Sequence, residues 1–593
     1  MAPDVATILD GYSRDRTDLI DILWDVQHSY GHIHEDAMRA IADHLGLSPG
    51  DVMETASFYH FFHTEPTGRY RIYLSDNVIA KMSGFRQVRD ALEQRTAARF
   101  GGPGTADFSL FETACIGLSD QEPTMLIDDV AFTRLTPKSV TDIISRLRQG
   151  QSPEQIANPS ALPRTTVAYV EALTGTTVHT AGPVFFHPET DHRALLERCL
   201  ELTPEQVIAT VTDSRLHGRG GAGFPTASKW TSCRDAADHE KYVICNADEG
   251  EPGTFKDRVL LTRTPKQVFG GMIIAAHAIG AAHGIVYLRA EYAYLRAYLE
   301  QQLSELRDDG LLGDGFDIRI AMGAGSYVCG DETALIESCE GKRGTPRLKP
   351  PFPAERGFLG KPTCVNNVET FAAAARIMEL GSDWYAAMGT AGSSGTRLLS
   401  VAGDCTAPGI YEFEWGVTLR EVLEVVGARD ARAVQLSGPS GEMVSVAADA
   451  DRRLAHEDLS CNGSFMVFNS QRDLLSIVRD FMQFFVDESC GICVPCRVGN
   501  VVLRQKVDLV LDGMASQSDL HDMVQWGGVL ARTSRCGLGT SSPNPILTTL
   551  EKFPDEYHRR LHDPTSSLRA SFDIRGALGG YATAMRQLEQ EPR

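Results

Sequence analysis

No stretch of this 593-residue chain is a long uninterrupted apolar run. The most hydrophobic one, Met272 to Leu288, contains His277, His283 and two glycines, so no membrane-spanning helix is indicated. An excess of basic residues is also missing. Lys and Arg number 57 against 78 Asp and Glu, and the net charge of −21 repels nucleic acid and anionic lipid while leaving room for a local basic pocket. The opening lacks the basic, apolar, small-residue order of a secretory signal, and no internal repeat is visible. Cysteine is plentiful at 13, but three fall within seven residues, so a metal site in a reduced cytoplasmic protein fits better than a disulfide framework. With 42% hydrophobic and 23% charged residues the composition is that of packed globular protein, long enough for about four domains.

Hydrophobic spacing divides the chain. Ile8, Tyr12, Leu19, Ile20, Leu23, Val26 and Tyr30 keep a helical period, Ala37 to Leu45 begins another, and Ser48 is placed to cap a third, so residues 1–65 read as a helical bundle. Residues 66–150 alternate between strand (Tyr70 to Leu74, then Thr124 to Phe132) and helix (Gly84 to Glu93, then one ending near Leu147), as a small α/β domain does. The polar stretch 151–180, with Pro153, Pro159 and Pro163, reads as a surface linker. A large α/β block, 181–390, has strands at Tyr242–Cys245, Gly284–Leu288 and Phe316–Met322. A compact α+β module fills 391–468, helices fill 469–560, and the tail 561–593 is left without assignment.

Four segments carry chemistry. Cys490, Cys493 and Cys496 stand at three-residue spacing, with Cys536 beyond. Three close thiolates and a distant fourth suit the corners of a [4Fe–4S] cluster better than a zinc ribbon, which pairs two separate C-x-x-C knuckles. Gly537 and Gly539 would let backbone N–H groups approach the sulfurs. Gly218-Arg219-Gly220-Gly221-Ala222-Gly223-Phe224, with Lys229 following, contains a literal G-x-G-x-x-G, but a helix at Pro204 to His217 precedes it where a Rossmann fingerprint needs a strand. Its glycines can still approach a phosphate or ring closely, with Arg219 as a planar donor and Lys229 as a charge; the alternative is a flexible loop. Cys245 to Phe255 places Asn246, Asp248, Glu249 and Glu251 at the end of a strand, where carboxylates meet ribose or ribityl hydroxyls, or Mg²⁺. The strand-like Ser326–Cys329 runs into Gly330, Asp331 and Glu332 at a helix start, and Val365, Asn366, Asn367 and Thr370 bring two amides to another. Each alone is more often a helix cap than a site. Together they point to one pocket.

The GRGGAGF loop, CNADEGEPGTFKDR, YVCGDETAL, KPPFP, VNNVET and ESCGICVPCR, in that order across about 181–560, resemble the flavin-bearing, NADH-oxidising subunit of respiratory complex I and its relatives. The resemblance implies a non-Rossmann α/β domain for FMN and NAD(H), a ubiquitin-like β-grasp domain and a helical bundle with one [4Fe–4S] cluster on Cys490, Cys493, Cys496 and Cys536. It also implies that Gly218 to Gly223, Lys229, Asn246, Asp248, Asn366, Asn367 and Thr370 line FMN. Glu249, Glu251, Glu332 and Lys349 would face the dinucleotide, with Phe224 and Phe352 sandwiching its adenine at about 0.5–1.5 kcal/mol per aromatic pair. Cys245, Cys329, Cys339 and Cys364 lack ligand spacing and read as buried structural thiols.

Residues 1–150 resemble the partner subunit of that family, a helical bundle and a thioredoxin-like domain holding a [2Fe–2S] cluster, here fused in front. Of the four ligand positions, Ser75, Ala80 and Ser119 have lost their cysteines and only Cys115 remains, so this domain is expected to be a cofactor-free docking surface. The fusion and the lost ligands point to the diaphorase subunit of cytoplasmic NAD⁺-reducing [NiFe]-hydrogenases. That resemblance implies hydride exchange between NAD(H) and FMN without a side-chain acid or base. It also implies one-electron transfer through the cluster, and as partners a small iron–sulfur diaphorase subunit and the hydrogenase small and large subunits. The alternatives are the flavoprotein subunit of an NAD-dependent formate dehydrogenase or of complex I, and a redox-inactive assembly scaffold.

Overall fold

A computed structural model describes residues 4–180, 182–187 and 191–562. The first helices, Val5–Leu9, Leu19–Tyr30, Glu35–Leu45 and Pro49–Phe58, are cut where the sequence supplies stops. Gly31 and Gly46 end two of them in left-handed conformation, and Ser48 caps the last in a reciprocal box with Asp51. Their apolar face is continuous with the central domain: Leu23, Val26 and Ile41 share a core with Ile244, Tyr287 and Leu335. The bundle therefore covers a sheet.

Strands β1 (Tyr70–Ser75), β2 (Phe108–Thr113), β3 (Met125–Ile127) and β4 (Val130–Phe132) form one sheet in the order β2-β1-β3-β4, with β1 and β2 parallel and the rest antiparallel. The run Thr124 to Phe132 is thus a hairpin and no single strand. Asp128 makes the turn at φ 51, a left-handed conformation that Asp tolerates better than most residues.

The stretch 151–180 differs from the surface linker read in the sequence. It contains helices Pro153–Ala157 and Val167–Thr174, buries Ile156, Tyr169, Val170 and Leu173, and ends in β5 (Val178–Thr180). Pro153 sits at the first helical position inside a Ser152/Gln155 capping box, where its missing N–H costs nothing, so this proline starts structure instead of breaking it.

The central domain holds β6 (Tyr242–Ala247), β7 (His283–Leu288), β8 (Asp317–Met322) and β9 (Thr363–Asn367), all parallel in the order β8-β7-β6-β9. β6, β7 and β9 are nearly all buried, as a sheet covered on both faces demands, while the edge strand β8 exposes Asp317 and Arg319. Helices Pro265–Ile279 and Val368–Leu380 pack closely; a Cβ at Gly271 would lie 2.0 Å from the Phe371 carbonyl oxygen, so only glycine fits there. Strand order reverses between β6 and β9, which makes their carboxyl ends the crevice of the sheet. Ser326–Cys329, strand-like by its apolar residues, instead enters a 3₁₀ turn (Tyr327–Gly330) after left-handed Gly325 (φ +85). Asp331 then caps helix Glu332–Cys339.

The α+β module contributes β10 (Thr396–Gly403), β11 (Gly409–Glu414), β12 (Ala431–Leu436), β13 (Glu442–Ser445) and β14 (Ser464–Asn469); with β5 they form a six-stranded sheet, β13-β12-β14-β10-β11-β5. Helices Leu474–Asp487, Val494–Leu511, Gln517–Thr533, Gly537–Ser541, Asn544–Lys552 and Pro554–His558 follow. Most of the tail 561–593 lies outside the described residues. Among the described residues no helix is long and apolar enough to cross a membrane.

Candidate functional site

A cavity of about 660 Å³ opens at the β6/β9 crevice. Gly220, Gly221, Ala222, Asn246, Asp248, Glu249, Glu251, Gly330, Asp331 and Asn367 line it, joined by Ser437, Ser440 and Asn462 of the α+β module and by Cys536 to Leu538 of the helical domain. Asn246 and Asn367 are paired in register, so both side chains stand on one face of the sheet. Asn246 donates to the Gly330 carbonyl (2.9 Å), and Asn367 caps its helix at Glu369 N while donating to Asp257 Oδ2 (2.6 Å). Asn366 does not join them. One residue earlier in an extended strand, it faces the opposite side and accepts the Trp230 indole N–H (2.9 Å).

The glycine loop is closed by Gly218 N donating to Phe224 O (2.9 Å), and Gly218 and Gly223 stand outside the cavity wall. Gly220 faces Asn367 so closely that a Cβ there would lie 3.2 Å from that residue's Cβ, and Gly221 takes φ +132. The Arg219 guanidinium, expected to meet a ligand, turns into the protein. Its Nη2 donates to Tyr385 OH (2.6 Å) and Ser394 O (3.0 Å), and the group lies over Trp415. Thr370 is buried behind the loop and accepts from Arg219 N (2.9 Å). Arg219 thus acts as charge behind the loop, together with buried Arg397 and Lys256, while Glu369 and Asp257 balance the set through contacts of 2.6–3.2 Å. These buried cations stand directly behind the glycine loop, with Glu369 and Asp257 as their partners.

The carboxylates have separate surroundings. Asp248 Oδ2 is buried without a partner, and burial holds the carboxyl well above its usual range despite nearby Arg289. Glu249 accepts from Asp257 N (2.9 Å), Arg258 N (3.2 Å) and Tyr292 OH (2.9 Å), capping helix Lys256–Arg263. Burial first, then Asp257, raises its carboxyl. Glu251 accepts from Tyr327 OH (2.5 Å), Ser440 N and Ser440 Oγ (both 2.9 Å), and burial lifts it to about 7. Lys229, read as facing FMN, is joined instead to the dinucleotide-side group: its Nζ donates to Val365 O (2.9 Å) and lies 3.1 Å from Glu332, which Lys349 meets from the other oxygen (3.1 Å). Burial would raise Glu332, but the two lysines outweigh it and hold the carboxylate below its usual value. Phe224 and Phe352 are 52% and 51% exposed, so about half of each is open to a partner.

Tyr327, Lys256, Asp257, Ser437, Ser440 and Asn462 are not singled out by the sequence. Lys256 and Asp257 sit inside CNADEGEPGTFKDR and Tyr327 opens YVCGDETAL, so position within those segments is the available signal. The two serines and Asn462 come from the next domain and carry no local mark.

Cys490, Cys493, Cys496 and Cys536 line a second, smaller cavity with Val328, Leu538 and Gly539. Cys493 and Cys536 stand at the starts of helices Val494–Leu511 and Gly537–Ser541. Cys496 accepts from Asn500 Nδ2 and contacts Ser489 Oγ, both at 3.4 Å. Burial pushes the Cys536 thiol up to about 11, eased by the backbone N–H groups of Gly539 and Leu538 that face the sulfur. Among the described residues no three His, Cys, Asp or Glu side chains converge as a single ion needs. Four thiols around a cavity suit the corners of a cluster, whose binding would deprotonate them outright. Cys245, Cys329, Cys339 and Cys364 are buried and outside this group.

The pocket also fits the flavin: a glycine cradle backed by buried cations, side-chain amides in register, and an orphaned carboxyl oxygen on Asp248.

Comparison with known proteins agrees with this geometry. The family described as Nuo51 FMN-binding domain matches residues 211–376, the thioredoxin-like [2Fe-2S] ferredoxin family matches 5–148, and the NADH-ubiquinone oxidoreductase-F iron-sulfur binding region matches 476–560. The NAD-reducing hydrogenase HoxS subunit alpha of Cupriavidus necator is 65% identical over 598 residues, covering 99% of both chains. The NADP-reducing hydrogenase subunit HndC of Solidesulfovibrio fructosivorans is 40% identical over 64% of this chain and 82% of its own length. A chain in the crystal structure of NAD⁺-reducing [NiFe]-hydrogenase in the H₂-reduced state superposes with a TM-score of 0.87 at 39% identity, covering 98% of each. Matched along its whole length at this identity, the chain belongs to the family of NAD-reducing hydrogenase HoxS alpha subunits.

Proposed function

We propose that the chain is the diaphorase subunit of an NAD⁺-reducing hydrogenase, exchanging hydride between NAD(H) and FMN and passing single electrons between FMN and a [4Fe–4S] cluster. The observation that carries this is the shared wall: Cys536 and Leu538 line both the crevice cavity and the cysteine-lined one. FMN, when bound, supplies both the two-electron exchange with nicotinamide and the one-electron exchange with the cluster. The chain's part is to bind, orient and insulate. Gly220 to Ala222, Asn246, Asp248 and Asn367 would hold the flavin against the buried cations. Glu249, Glu251, Gly330 and Asp331 would meet the dinucleotide, with Glu332 and Lys349 nearby and Phe224 and Phe352 stacking on its adenine. Cys490, Cys493, Cys496 and Cys536 would hold the cluster. No side chain is assigned a proton-transfer role.

Coverage favours hydrogenase partners over complex I. The HoxS alpha relative matches 99% of this chain, whereas the NADH-quinone oxidoreductase relative from Aquifex aeolicus matches 61%. Exposed Ile492 lies in the loop between the cysteines, Val494 and Val498 on the helix that follows and Trp526 on the next, a surface suited to a small iron–sulfur diaphorase subunit and, beyond it, the hydrogenase subunits. The free cysteines support a reducing, cytoplasmic location.

The front domain is read as cluster-free. Ser75 Oγ donates to Glu122 (2.9 Å), Asn77 donates to both, and Cys115 Sγ meets Ser119 Oγ at 3.2 Å, so side chains bond to one another where ligands would be needed. Purifying the complex and assaying H₂-driven NAD⁺ reduction tests the whole reading. A complex that holds FMN and iron but reduces no NAD⁺ with H₂ would defeat it.

A further inference from the structure

The front domain's Cys115–Asp120 loop, where a cluster would have been ligated, lies against the back of the pocket wall at Asp248–Gly253. Two buried arginines make the joint. Arg289, 3% exposed and paired with Glu291 (2.5 Å), donates from Nη2 to the Cys115 carbonyl (2.8 Å) and from Nη1 to the Glu249 carbonyl. Arg258, 1% exposed, donates from Nε to the Gly117 carbonyl (2.9 Å) and lies 3.9 Å from Asp120. Tyr292 stands between the arginines, fully buried, and donates its hydroxyl to Glu249 Oε2 (2.9 Å). Gly117 supplies the room. It takes φ +73, and a Cβ there would lie 2.1 Å from the Tyr292 hydroxyl oxygen. The loop therefore sets the position of the phenol, and the phenol holds the carboxylate.

We infer that the front domain, having lost its cluster ligands, serves as a positioning element for NAD(H) exchange: its Cys115–Asp120 loop fixes Tyr292 and Arg289, and these two hold Glu249 in the pocket wall. Tyr292 is a positioning residue, acting through Glu249. This rests on the reading that the pocket takes NAD(H). The charged and titratable groups around Glu249 are Lys256, Asp257 and Arg258 from its capped helix, Arg289, Glu291 and Tyr292 from the segment after β7, and Asp120 with Cys115 from the front domain. Removing a neutral donor from this set makes the carboxylate harder to ionise.

The test uses the purified complex with Tyr292→Phe, Gly117→Ala and the double variant, measuring NADH-to-dye kinetics across the neutral pH range alongside flavin content. Each single variant should raise KM for NADH about ten-fold, the order expected for one hydrogen bond to a charged group, with kcat little changed. The acid limb of the pH profile should move upward, and flavin content should stay at the parent level. The double variant should be no worse than the worse single, because both act through one hydroxyl. Parent KM and pH profile in both single variants would overturn the inference, as would multiplied effects in the double. Flavin loss from Tyr292→Phe would overturn it too, because the phenol would then be holding the fold. A parent complex that oxidises no NADH would remove the reading beneath it, an outcome separable from all of these.

Discussion

Val328 and Cys536 each face two cavities, the large crevice at the ends of β6 and β9 and the smaller one lined by four cysteines. A buried valine and one of the four cysteines proposed to hold the cluster are thus part of the partition between the two. Such a partition keeps two-electron chemistry on one side and one-electron chemistry on the other, while leaving only a thin layer of protein for an electron to cross. The predictions follow from which side each residue serves.

Gly220 is on the flavin side. A Cβ there would already lie 3.2 Å from Asn367 Cβ, so Gly220→Val drives a branched side chain into the cradle. Flavin released by acid from the parent should run chromatographically as FMN. The Gly220→Val complex should retain less than about a tenth of it, a loss of roughly 1.4 kcal/mol or more in flavin binding. Recovery of FAD, or parent flavin content in the variant, would contradict the assignment.

Glu251 links two domains through Tyr327 and Ser440, and carries a sign that can be checked. Burial raises its carboxyl from 4.5 to about 7, so the folded chain keeps a proton that the unfolded chain has released. Stability from this group is therefore fully present below pH 4.5, falls as pH rises toward about 7, and stays reduced above. Glu251→Gln keeps an acceptor for Tyr327 and Ser440 without the buried charge. Above pH 7 it should be more stable than the parent by about 3 kcal/mol, with the gain vanishing below pH 4.5. NADH kinetics should change while flavin content does not. A strict Mg²⁺ requirement abolished by the same substitution would reassign Glu251 to a metal.

Much of this was legible in the sequence, and the failures share one cause. Strand and helix periods located β6, β7 and β8 but not β9, and the cysteine spacing located the second cavity, because both are local signals. The spacing of Asn366 and Asn367 could not say which amide faces the crevice; strand alternation allows only one, and Trp230, distant in sequence, takes the other. Arg219 looks like a ligand donor until Tyr385, Ser394 and Trp415 claim its guanidinium. The 151–180 stretch reads as a linker because its strand β5 has no partner within its own segment; β11, more than 200 residues later, provides one. Ser440 serves Glu251 across a domain boundary that no local pattern marks.

Iron content tests the front domain. Ser75, Ala80 and Ser119 supply no thiolates, and Ser75 is already bonded to a Glu122 carboxyl that burial raises to about 7. The isolated full-length subunit should contain iron and sulfide for one [4Fe–4S] cluster and no more. Cys115→Ser should leave that content unchanged. An additional [2Fe–2S] signal in electron paramagnetic resonance, lost in Cys115→Ser, would mean that the domain has recruited other ligands.

Cys496→Ser separates the two sides of the partition. The cysteine is buried, with Asn500 and Ser489 at 3.4 Å from its sulfur, so a serine oxygen would meet the same neighbours but offer iron a harder ligand, which clusters tolerate poorly. The residues proposed to hold the flavin, Gly220 to Ala222, Asn246, Asp248 and Asn367, lie in another domain, and Cys496 does not line the crevice. NADH-to-dye activity, which needs only the crevice, should therefore stay within about two-fold of the parent, a change below about 0.5 kcal/mol. H₂-driven NAD⁺ reduction should fall by about a hundred-fold or more, because the chain has lost its one-electron route to the partner subunits. Both activities are to be measured in the same preparation, with flavin content as the control for folding. If both persist, the four cysteines are not the route, and a zinc or scaffold role gains support. If both fail while flavin is retained, the partition is not the boundary that Val328 and Cys536 mark, and the two chemistries depend on one shared structure.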